Sequence, residues 1–211
     1  MDNPVPEPPW LLWAKRLQAL AQVGLTYATD NYELDRYRAI RAIAAEMMAA
    51  GSGADLATIA CLFADQAGYA TPKVDVRGVV FRDGAILLVR ERADSRWSLP
   101  GGWADILESP REAIEREVRE ESGYLTRAVK LLALYDRSKH PHEPPFPFHV
   151  YKVFIQCELI GGAPSASNET SEVRFFGEDE LPELSRSRVT ASQIHRFFEH
   201  RRQPNLPSDF D

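Results

Sequence analysis

Three glutamates in one short stretch are the residues of this chain best suited to chemistry. Glu117, Glu120 and Glu121 occur within residues 102–124, which read GWADILESPREAIEREVREESGY. In a helix, spacings of three and four residues place all three carboxylates on one face, where like charges repel. A divalent cation would remove that repulsion, because Mg²⁺ is usually held by a few carboxylates together with phosphate oxygens. The spacing therefore favours a metal site for phosphate chemistry over a solvated acidic surface helix.

The same stretch carries signals for both ends of a helix. Ser109 is a favourable N-cap, Pro110 suits the first helical position, and Glu112 completes a Ser-x-x-Glu capping box. Gly123 is typical of the residue that ends a helix. The sequence thus predicts a helix between Ser109 and Gly123, with the three glutamates in its second half.

The stretch resembles the Nudix box, G-x5-E-x7-R-E-U-x-E-E-x-G-U, in which U is a bulky apolar residue. Tyr124 departs from the pattern, because it is aromatic where an aliphatic residue is commoner. The matching positions are Gly102, Glu108, Arg116, Glu117, Val118, Glu120, Glu121 and Gly123. The resemblance implies hydrolysis of the pyrophosphate bond in a nucleoside diphosphate linked to another group, X, with Mg²⁺ or Mn²⁺ as the cofactor.

The resemblance also implies roles for the residues of the box. The metal ligands would be Glu117, Glu120 and Glu121, assisted by the backbone carbonyl of Gly101 or Gly102. Arg116 would pair with a glutamate of the box, preferably Glu108, and hold the loop against the helix. Among the catalytic candidates, Arg116 and Glu108 are thus expected to support the site and not to react.

The base that activates water is left open by the sequence. Glu120 could serve, but some relatives use a glutamate on a loop beyond the box. Here the loop candidates are Glu169 and Glu172, in the stretch NETSEVRFF. Each could equally be an exposed loop carboxylate, and nothing in the sequence chooses among the three glutamates.

Two regions could bind the substrate. Arg77 lies in a predicted strand among valines, where it could contact phosphate or form a salt bridge at the rim of the cleft. The loop DRSKHPHEPPFPFH is long, and long loops in compact domains are commonly functional. Its candidates are Lys139, His140 and His142 for phosphate, and Phe146 or Phe148 for stacking on a base. The spacing of its histidines fits no common zinc site.

Composition limits the class of protein. The 211 residues carry a net charge of −6, which disfavours a broad nucleic-acid footprint and makes RNA a poor candidate substrate. Two cysteines, Cys61 and Cys157, lie far apart without a metal-binding motif, so we expect buried thiols and a reducing cytoplasm. No apolar run is long enough to span a membrane, and no basic signal region is found at the start.

The chain divides into two predicted domains, residues 1–70 and 71–211. Apolar periodicity predicts three N-terminal helices, at 10–26, 34–50 and 54–66. Three short helices bury little core alone, so we expect them to pack on the rest of the chain or on a second copy, as in a homodimer.

The second domain is predicted to be α/β. Predicted strands at 74–81, 85–91, 129–136, 149–158 and 172–176 alternate with the box helix and a helix at 190–201, and Asp83-Gly84 is a hairpin signal. This order implies a mixed sheet with helices on both faces, which matches the Nudix-type α/β/α sandwich that the resemblance implies.

The resemblance extends to a bacterial subgroup of the family with a helical N-terminal extension. That subgroup includes enzymes similar to CDP-choline pyrophosphatase and ADP-ribose pyrophosphatase, and the extension would help to form a dimer and to wall the active site. The expected products are a nucleoside monophosphate and phospho-X. The alternatives are an RNA-processing enzyme and a non-catalytic module that senses a nucleotide sugar.

Overall fold

The computed structural model describes residues 7–211, so the first six residues of the predicted N-terminal domain lie outside it. The chain forms two compact units. One contains the described residues up to Pro72 together with Phe146–His149. The other contains Lys73–Pro145 and Val150–Asp211. Part of the loop expected to contact substrate therefore belongs to the helical unit.

The helical unit consists of α1 (Pro9–Tyr27), α2 (Asn31–Ser52) and α3 (Leu56–Ala64). Aspartate side chains cap two of these helices, because Asp30 accepts from the first backbone amides of α2 and Asp55 accepts from Thr58 in α3. Phe148 packs against the core of this unit. The buried core residues are Leu11, Ala14, Ala44, Ala45, Met48, Ile59 and Phe63. The three helices predicted from periodicity are present.

The second unit is built on a seven-stranded mixed sheet. Its strands are β1 (Lys73–Arg82), β2 (Ala85–Glu91), β3 (Trp97–Ser98), β4 (Tyr124–Asp136), β5 (Val150–Gly162), β6 (Thr170–Phe176) and β7 (Asp209–Phe210). The order is β3-β2-β1-β5-β4-β7, with β6 paired antiparallel to β2. β1 and β5 are parallel, whereas β1 and β2 form the predicted hairpin. Asp83 and Gly84 have φ of 50° and 90°, which suits a two-residue hairpin loop.

Two helices cover opposite faces of this sheet. They are α4 (Pro110–Ser122) and α5 (Ala191–Arg202). Val80 of β1 belongs to the core that includes Val118 of α4, whereas its neighbour Val79 belongs to the core that includes Phe197 of α5. Consecutive strand residues point to opposite faces, so the sheet is enclosed between the helices. This confirms the α/β/α sandwich.

The strand boundaries differ from the prediction where pairing decides them. β4 begins at Tyr124, because its first residues pair with Gly161 and Gly162 of β5, which were expected to close the strand. β3 and β7 were not predicted, since two-residue strands have no periodicity to detect. The loop after β4 opens with a short 3-10 turn at Arg137–Lys139.

Close packing between β1 and α4 positions the glutamates. A side chain at Gly78 of β1 would place its Cβ 2.5 Å from Cγ2 of Val118. Glycine therefore lets the helix lie directly on the strand, and interior packing at this density tolerates little added volume. The result is a fixed position for the outward face of α4.

Candidate active site

Helix α4 has the ends that the sequence predicts. The Ser109 side chain accepts from the backbone N–H of Glu112, and the Glu112 carboxylate accepts from the backbone N–H of Ser109 at 2.9 Å. Gly123 ends the helix with φ of 75°. Ile114 and Val118 are buried against the sheet. Capping at both ends and packing on the sheet thus fix the position of the helix that carries the glutamates.

The glycines before the helix lie directly against β1. The backbone N–H of Val76 donates to the carbonyl of Gly102 at 2.8 Å, and that of Gly78 donates to Pro100 at 2.8 Å. Gly101 has φ of 141°, and a Cβ there would lie 2.1 Å from the carbonyl oxygen of Val76. Only glycine accommodates this backbone approach.

A cavity of about 650 Å³ opens between this loop and the exposed face of α4. Its lining residues are Arg77, Glu91, Gly101, Gly102, Trp103, Asp105, Arg116, Glu117, Glu120, Glu121, Ser167, Asn168, Glu169 and Arg188. Among them are all the residues proposed as metal ligands, one of the two loop candidates for the base, and Arg77. We refer to this cavity as the carboxylate pocket.

Arg116 ties the box together. Its Nε donates to Glu108 at 2.9 Å, and its Nη1 donates to Glu117 and Glu120 at 3.0 Å each. The contact expected between Arg116 and Glu108 is therefore present. The hydrogen bond from Arg116 lowers the pKa of Glu108, so this loop carboxylate stays ionised and holds the loop against the helix.

Burial raises the pKa of two carboxyl groups of the pocket. Glu121 is buried, and the only hydrogen bond to its side-chain carboxylate within residues 7–211 comes from the backbone N–H of Gly101 at 2.8 Å. Burial raises its pKa to about 8, against the opposing attraction of Arg77. Burial likewise raises the pKa of Glu117, although Arg116 opposes the shift. Both groups would be stabilised as anions by an added cation.

The donor set fits a hard divalent ion. The pocket is lined by six acidic and three basic side chains, so its formal charge is −3. The carboxylate of Glu117 lies against Gly102, where a Cβ would come within 3.2 Å of both of its oxygens. Within the described residues, no three acidic, histidine or cysteine side chains already converge as a metal cluster. Because Arg116 pairs with Glu117 and Glu120, binding through all three glutamates requires these side chains to reorient.

Arg77 forms a salt bridge in the interior and not at the rim, and its contact with a substrate phosphate stays a prediction. Its Nε and Nη2 donate to Asp75, at 3.1 Å and 2.7 Å, and its Nη1 donates to the carbonyl of Leu99 at 3.2 Å. Buried Lys152 also pairs with Asp75. Attraction to Arg77 and Lys152 outweighs burial and lowers the pKa of Asp75 to about 2. Asp75 thus fixes the guanidinium that lines the pocket.

The loop after β4 does not line the carboxylate pocket. His142 is buried, with Nδ1 at 2.9 Å from the carbonyl of Arg186 and Nε2 at 3.2 Å from Nε2 of Gln193. Burial lowers its pKa to about 3. A buried ring with both nitrogens engaged stabilises the fold, and the role of His142 in binding phosphate stays a prediction.

The other candidates of that loop are dispersed. Lys139 is exposed, and His140 pairs with Asp211 at 3.1 Å. Phe146 and Phe148 belong to the helical unit, where their ring centroids are 6.0 Å apart. Packing in that unit accounts for Phe148. Their role in binding a base stays a prediction.

The two loop glutamates differ in their surroundings. Glu169 lines the pocket, and its loop is tied to α4 because the Thr170 hydroxyl donates to the carbonyl of Glu121 at 2.6 Å. Glu172 is not among the lining residues, and it pairs with Arg90 at 2.6 Å and with Arg174 at 3.3 Å. Only Glu169 is positioned to act in the pocket.

Sequence reasoning missed three charged residues of the pocket, which are Glu91, Asp105 and Arg188. Glu91 ends β2 and is buried, where it accepts from the Ser98 hydroxyl at 2.6 Å. Leu87, Val89 and Glu91 lie on the same face of β2. An acidic residue at the end of this apolar face was therefore a detectable signal in the sequence. Arg188 lies in an irregular segment after β6, where no periodic pattern distinguishes it.

Comparison with known proteins places these features in a family. Residues 71–197 match the NUDIX domain family, and residues 8–63 match a UDP-X-like N-terminal oligomerisation domain. No helix within residues 7–211 has the length and apolar character needed to cross a membrane.

Two relatives match over nearly the full length, and a third matches over about two thirds of this chain. A putative ADP-ribose pyrophosphatase of Bacillus subtilis (strain 168) is 46% identical over 202 residues, covering 96% of this chain and 97% of the relative. A UDP-X diphosphatase of known crystal structure is 30% identical to this chain, with a TM-score of 0.62. The match covers 96% of this chain and 98% of that one. An ADP-ribose pyrophosphatase of Streptococcus suis 89-1591 is 39% identical with a TM-score of 0.61, covering 67% of this chain and all of that one.

The burial of Glu121 predicts how stability depends on pH. Its pKa is about 8 in the folded chain, above the ordinary value of 4.5, so between these values the folded state binds more protons than the unfolded state. Stability should therefore fall as pH rises from 4.5 to 8 when divalent metal is chelated. Glu121→Gln should flatten this dependence. Thermal unfolding in EDTA across this range measures the effect.

Glu120→Gln is the matched control, because Glu120 lies on the same helix with a half-exposed side chain. It leaves the burial of Glu121 unchanged, so it should keep the wild-type slope. Equal slopes for all three proteins would contradict the assignment of the titration to Glu121.

Proposed function

This chain belongs to the Nudix family and is a Nudix pyrophosphohydrolase, and from that premise we propose that it cleaves a nucleoside diphosphate linked to a second group, X. The products would be a nucleoside monophosphate and phospho-X. The observation that carries the proposal is the carboxylate pocket, where buried acids face a cavity with a formal charge of −3. Such a site favours a dianionic pyrophosphate only when a divalent cation accompanies it.

The residues proposed to hold the cation are Glu117, Glu120, Glu121 and the carbonyl of Gly102. Nudix hydrolases generally need a divalent metal, and we propose Mg²⁺ or Mn²⁺ here, because both prefer oxygen ligands. When bound, the metal would neutralise phosphate charge and lower the pKa of a coordinated water. The protein's own contribution is to fix these carboxylates on α4 and to hold Arg116 beside them.

ADP-ribose is the substrate that the comparisons favour, since relatives from Bacillus subtilis and Streptococcus suis carry that name. A CDP-choline-type substrate is the other candidate, and the UDP-X diphosphatase adds uridine compounds to the panel to be tested. Lys139, His140, Phe146 and Phe148 remain proposed contacts for the ends of the substrate. The lining of the pocket does not identify the nucleotide base or the group X, so the substrate panel below is designed to identify them.

A panel of substrates tests this proposal. We expect hydrolysis of ADP-ribose, CDP-choline or a UDP-linked compound with Mg²⁺ or Mn²⁺, with product analysis showing a nucleoside monophosphate. Glu117→Gln and Glu120→Gln should each lower kcat by about 10²–10³, the scale for losing one preorganised electrostatic contact. Both variants should stay folded, because each removes a like-charge repulsion on α4.

The control for this panel is Glu115→Gln, a change on the same helix at a residue outside the lining of the pocket. It should turn over like the wild type. Activity of Glu117→Gln within a few-fold of wild type would remove Glu117 from the metal site, and failure on every compound would refute the proposed reaction.

Glu169 is proposed as the general base that activates water. It lines the pocket, whereas Glu172 is paired with arginines outside it, and Glu120 is the alternative within the box. Glu169→Gln should lower kcat by about 10²–10⁴, the usual contribution of general acid–base catalysis, with little change in KM. Glu172→Gln is the matched control and should keep kcat. The reverse ranking of the two variants would overturn the assignment.

The helical unit is proposed to form a homodimer. Residues 8–63 match an oligomerisation domain, and the unit exposes large apolar residues, among them Trp13, Leu20 and Ile43. We expect sedimentation to give a dimer for the full chain at micromolar concentration. A truncated chain that begins at Pro72 should sediment as a monomer or aggregate, because the apolar contact is lost. A monomeric full chain would contradict the proposal.

A further inference from the structure

Three arginines line the carboxylate pocket, and in two of them every guanidinium nitrogen donates to a protein group. Arg116 donates to Glu108, Glu117 and Glu120. Arg77 is only 7% exposed in its side chain, and its Nε, Nη1 and Nη2 all donate to protein oxygens. Each of these two guanidinium groups is thus held by protein acceptors at all three of its nitrogens.

Arg188 differs from both. Its side chain is 28% exposed, and its Nη2 donates no hydrogen bond to any residue of the described chain. A guanidinium presents five N–H donors, so one edge of Arg188 stays available to a ligand in the pocket. Among the arginines that line the pocket, Arg188 is the one with a guanidinium nitrogen that makes no hydrogen bond within the described residues.

The backbone that carries Arg188 is firmly anchored. The segment between β6 and α5 runs beside β3, where Ser185 N–H donates to the carbonyl of Trp97 at 2.7 Å. Arg188 N–H then donates to the carbonyl of Ser185 at 2.8 Å, and Thr190 begins α5 through a capping box. The Cα of Arg188 is therefore fixed on both sides.

The side chain of Arg188 is oriented as well. Its Nε lies 3.1 Å from Oε1 of buried Glu91, and its Nη1 donates to the Ser185 hydroxyl at 2.9 Å. Asp94 lies 3.4 Å from Nη1. Glu91 is itself held by the Ser98 hydroxyl. Such prior orientation reduces the entropy lost when an anion binds.

We propose that Arg188 binds a phosphoryl oxygen of the substrate, an inference that rests on the proposed function. A pyrophosphate carries charge on both phosphorus centres, and the carboxylates of α4 reach it only through a cation. Guanidinium donors recognise phosphate oxygens directly, with hydrogen bonds that are stronger than neutral ones. Arg188 thus supplies direct positive charge in a pocket otherwise dominated by acids.

The test measures binding and turnover separately. Inorganic pyrophosphate with Mg²⁺ is titrated calorimetrically into the wild type, Arg188→Ala and Arg188→Lys, and KM and kcat are measured on the best substrate of the panel. Arg188→Ala should weaken pyrophosphate binding and raise KM by about 10- to 100-fold. Arg188→Lys should recover part of the loss, because it keeps the charge without the fork of donors.

Arg186→Ala is the matched control from the same segment. Arg186 pairs with Glu143 and does not line the carboxylate pocket. It should bind pyrophosphate and turn over like the wild type. If Arg188→Ala fails to fold, the Arg188→Lys titration decides the matter: wild-type affinity in that variant overturns the proposal, and a several-fold loss supports it.

A purely structural role for Arg188 makes a different prediction. If Arg188 only neutralised Glu91, the double change Glu91→Gln with Arg188→Gln would restore affinity for pyrophosphate. We expect the double variant to bind as weakly as Arg188→Ala. Restored affinity would overturn the proposal.

The outcomes separate this inference from the proposed function. Hydrolysis by the wild type, with unchanged pyrophosphate affinity and KM in Arg188→Ala, overturns the inference and leaves the function intact. Pyrophosphate binding that depends on Arg188, with no nucleoside diphosphate compound hydrolysed, supports the inference and refutes the function.

Discussion

The structure of the pocket depends on one unfavourable arrangement, three carboxylates at the C-terminal half of α4. Acidic groups there repel one another and also face the negative end of the helix dipole. Close packing at Gly78 and the backbone contacts of Gly101 prevent the helix from moving away to relieve the repulsion. The chain compensates with Arg116, and burial leaves Glu121 with a raised pKa. A bound cation would balance the negative charge that remains.

Local chemistry explains what the sequence could predict. The capping box, Gly123 and the hairpin at Asp83-Gly84 act over a few residues, so helix α4 and the β1–β2 pair are where the pattern puts them. The box also orders the contact between Arg116 and Glu108, eight residues apart. Spacing along the chain determines these features, so they can be predicted from the sequence without knowledge of the tertiary structure.

Features that depend on tertiary contacts could not be predicted. Histidine is a residue type that can bind phosphate, yet both ring nitrogens of His142 contact groups from distant segments of the chain. These groups are the backbone carbonyl of Arg186 and the side-chain amide of Gln193. Arg188 has no local pattern at all, and only the fold brings it to Glu91. The sequence does not distinguish Glu169 from Glu172. Pairing of β2 with β6 places Glu172 opposite Arg90, with which it forms a salt bridge.

The pocket draws its lining from segments with different constraints. The glycines before α4 and the box helix are locked against β1, so few substitutions are tolerated there. Glu169 and Arg188 instead stand on irregular segments, which hydrogen bonds from Thr170 and Ser185 hold against the rest of the unit. Substitution in the first group therefore displaces the backbone of the pocket, whereas substitution of Glu169 or Arg188 changes the charge of its lining and leaves the sheet in place.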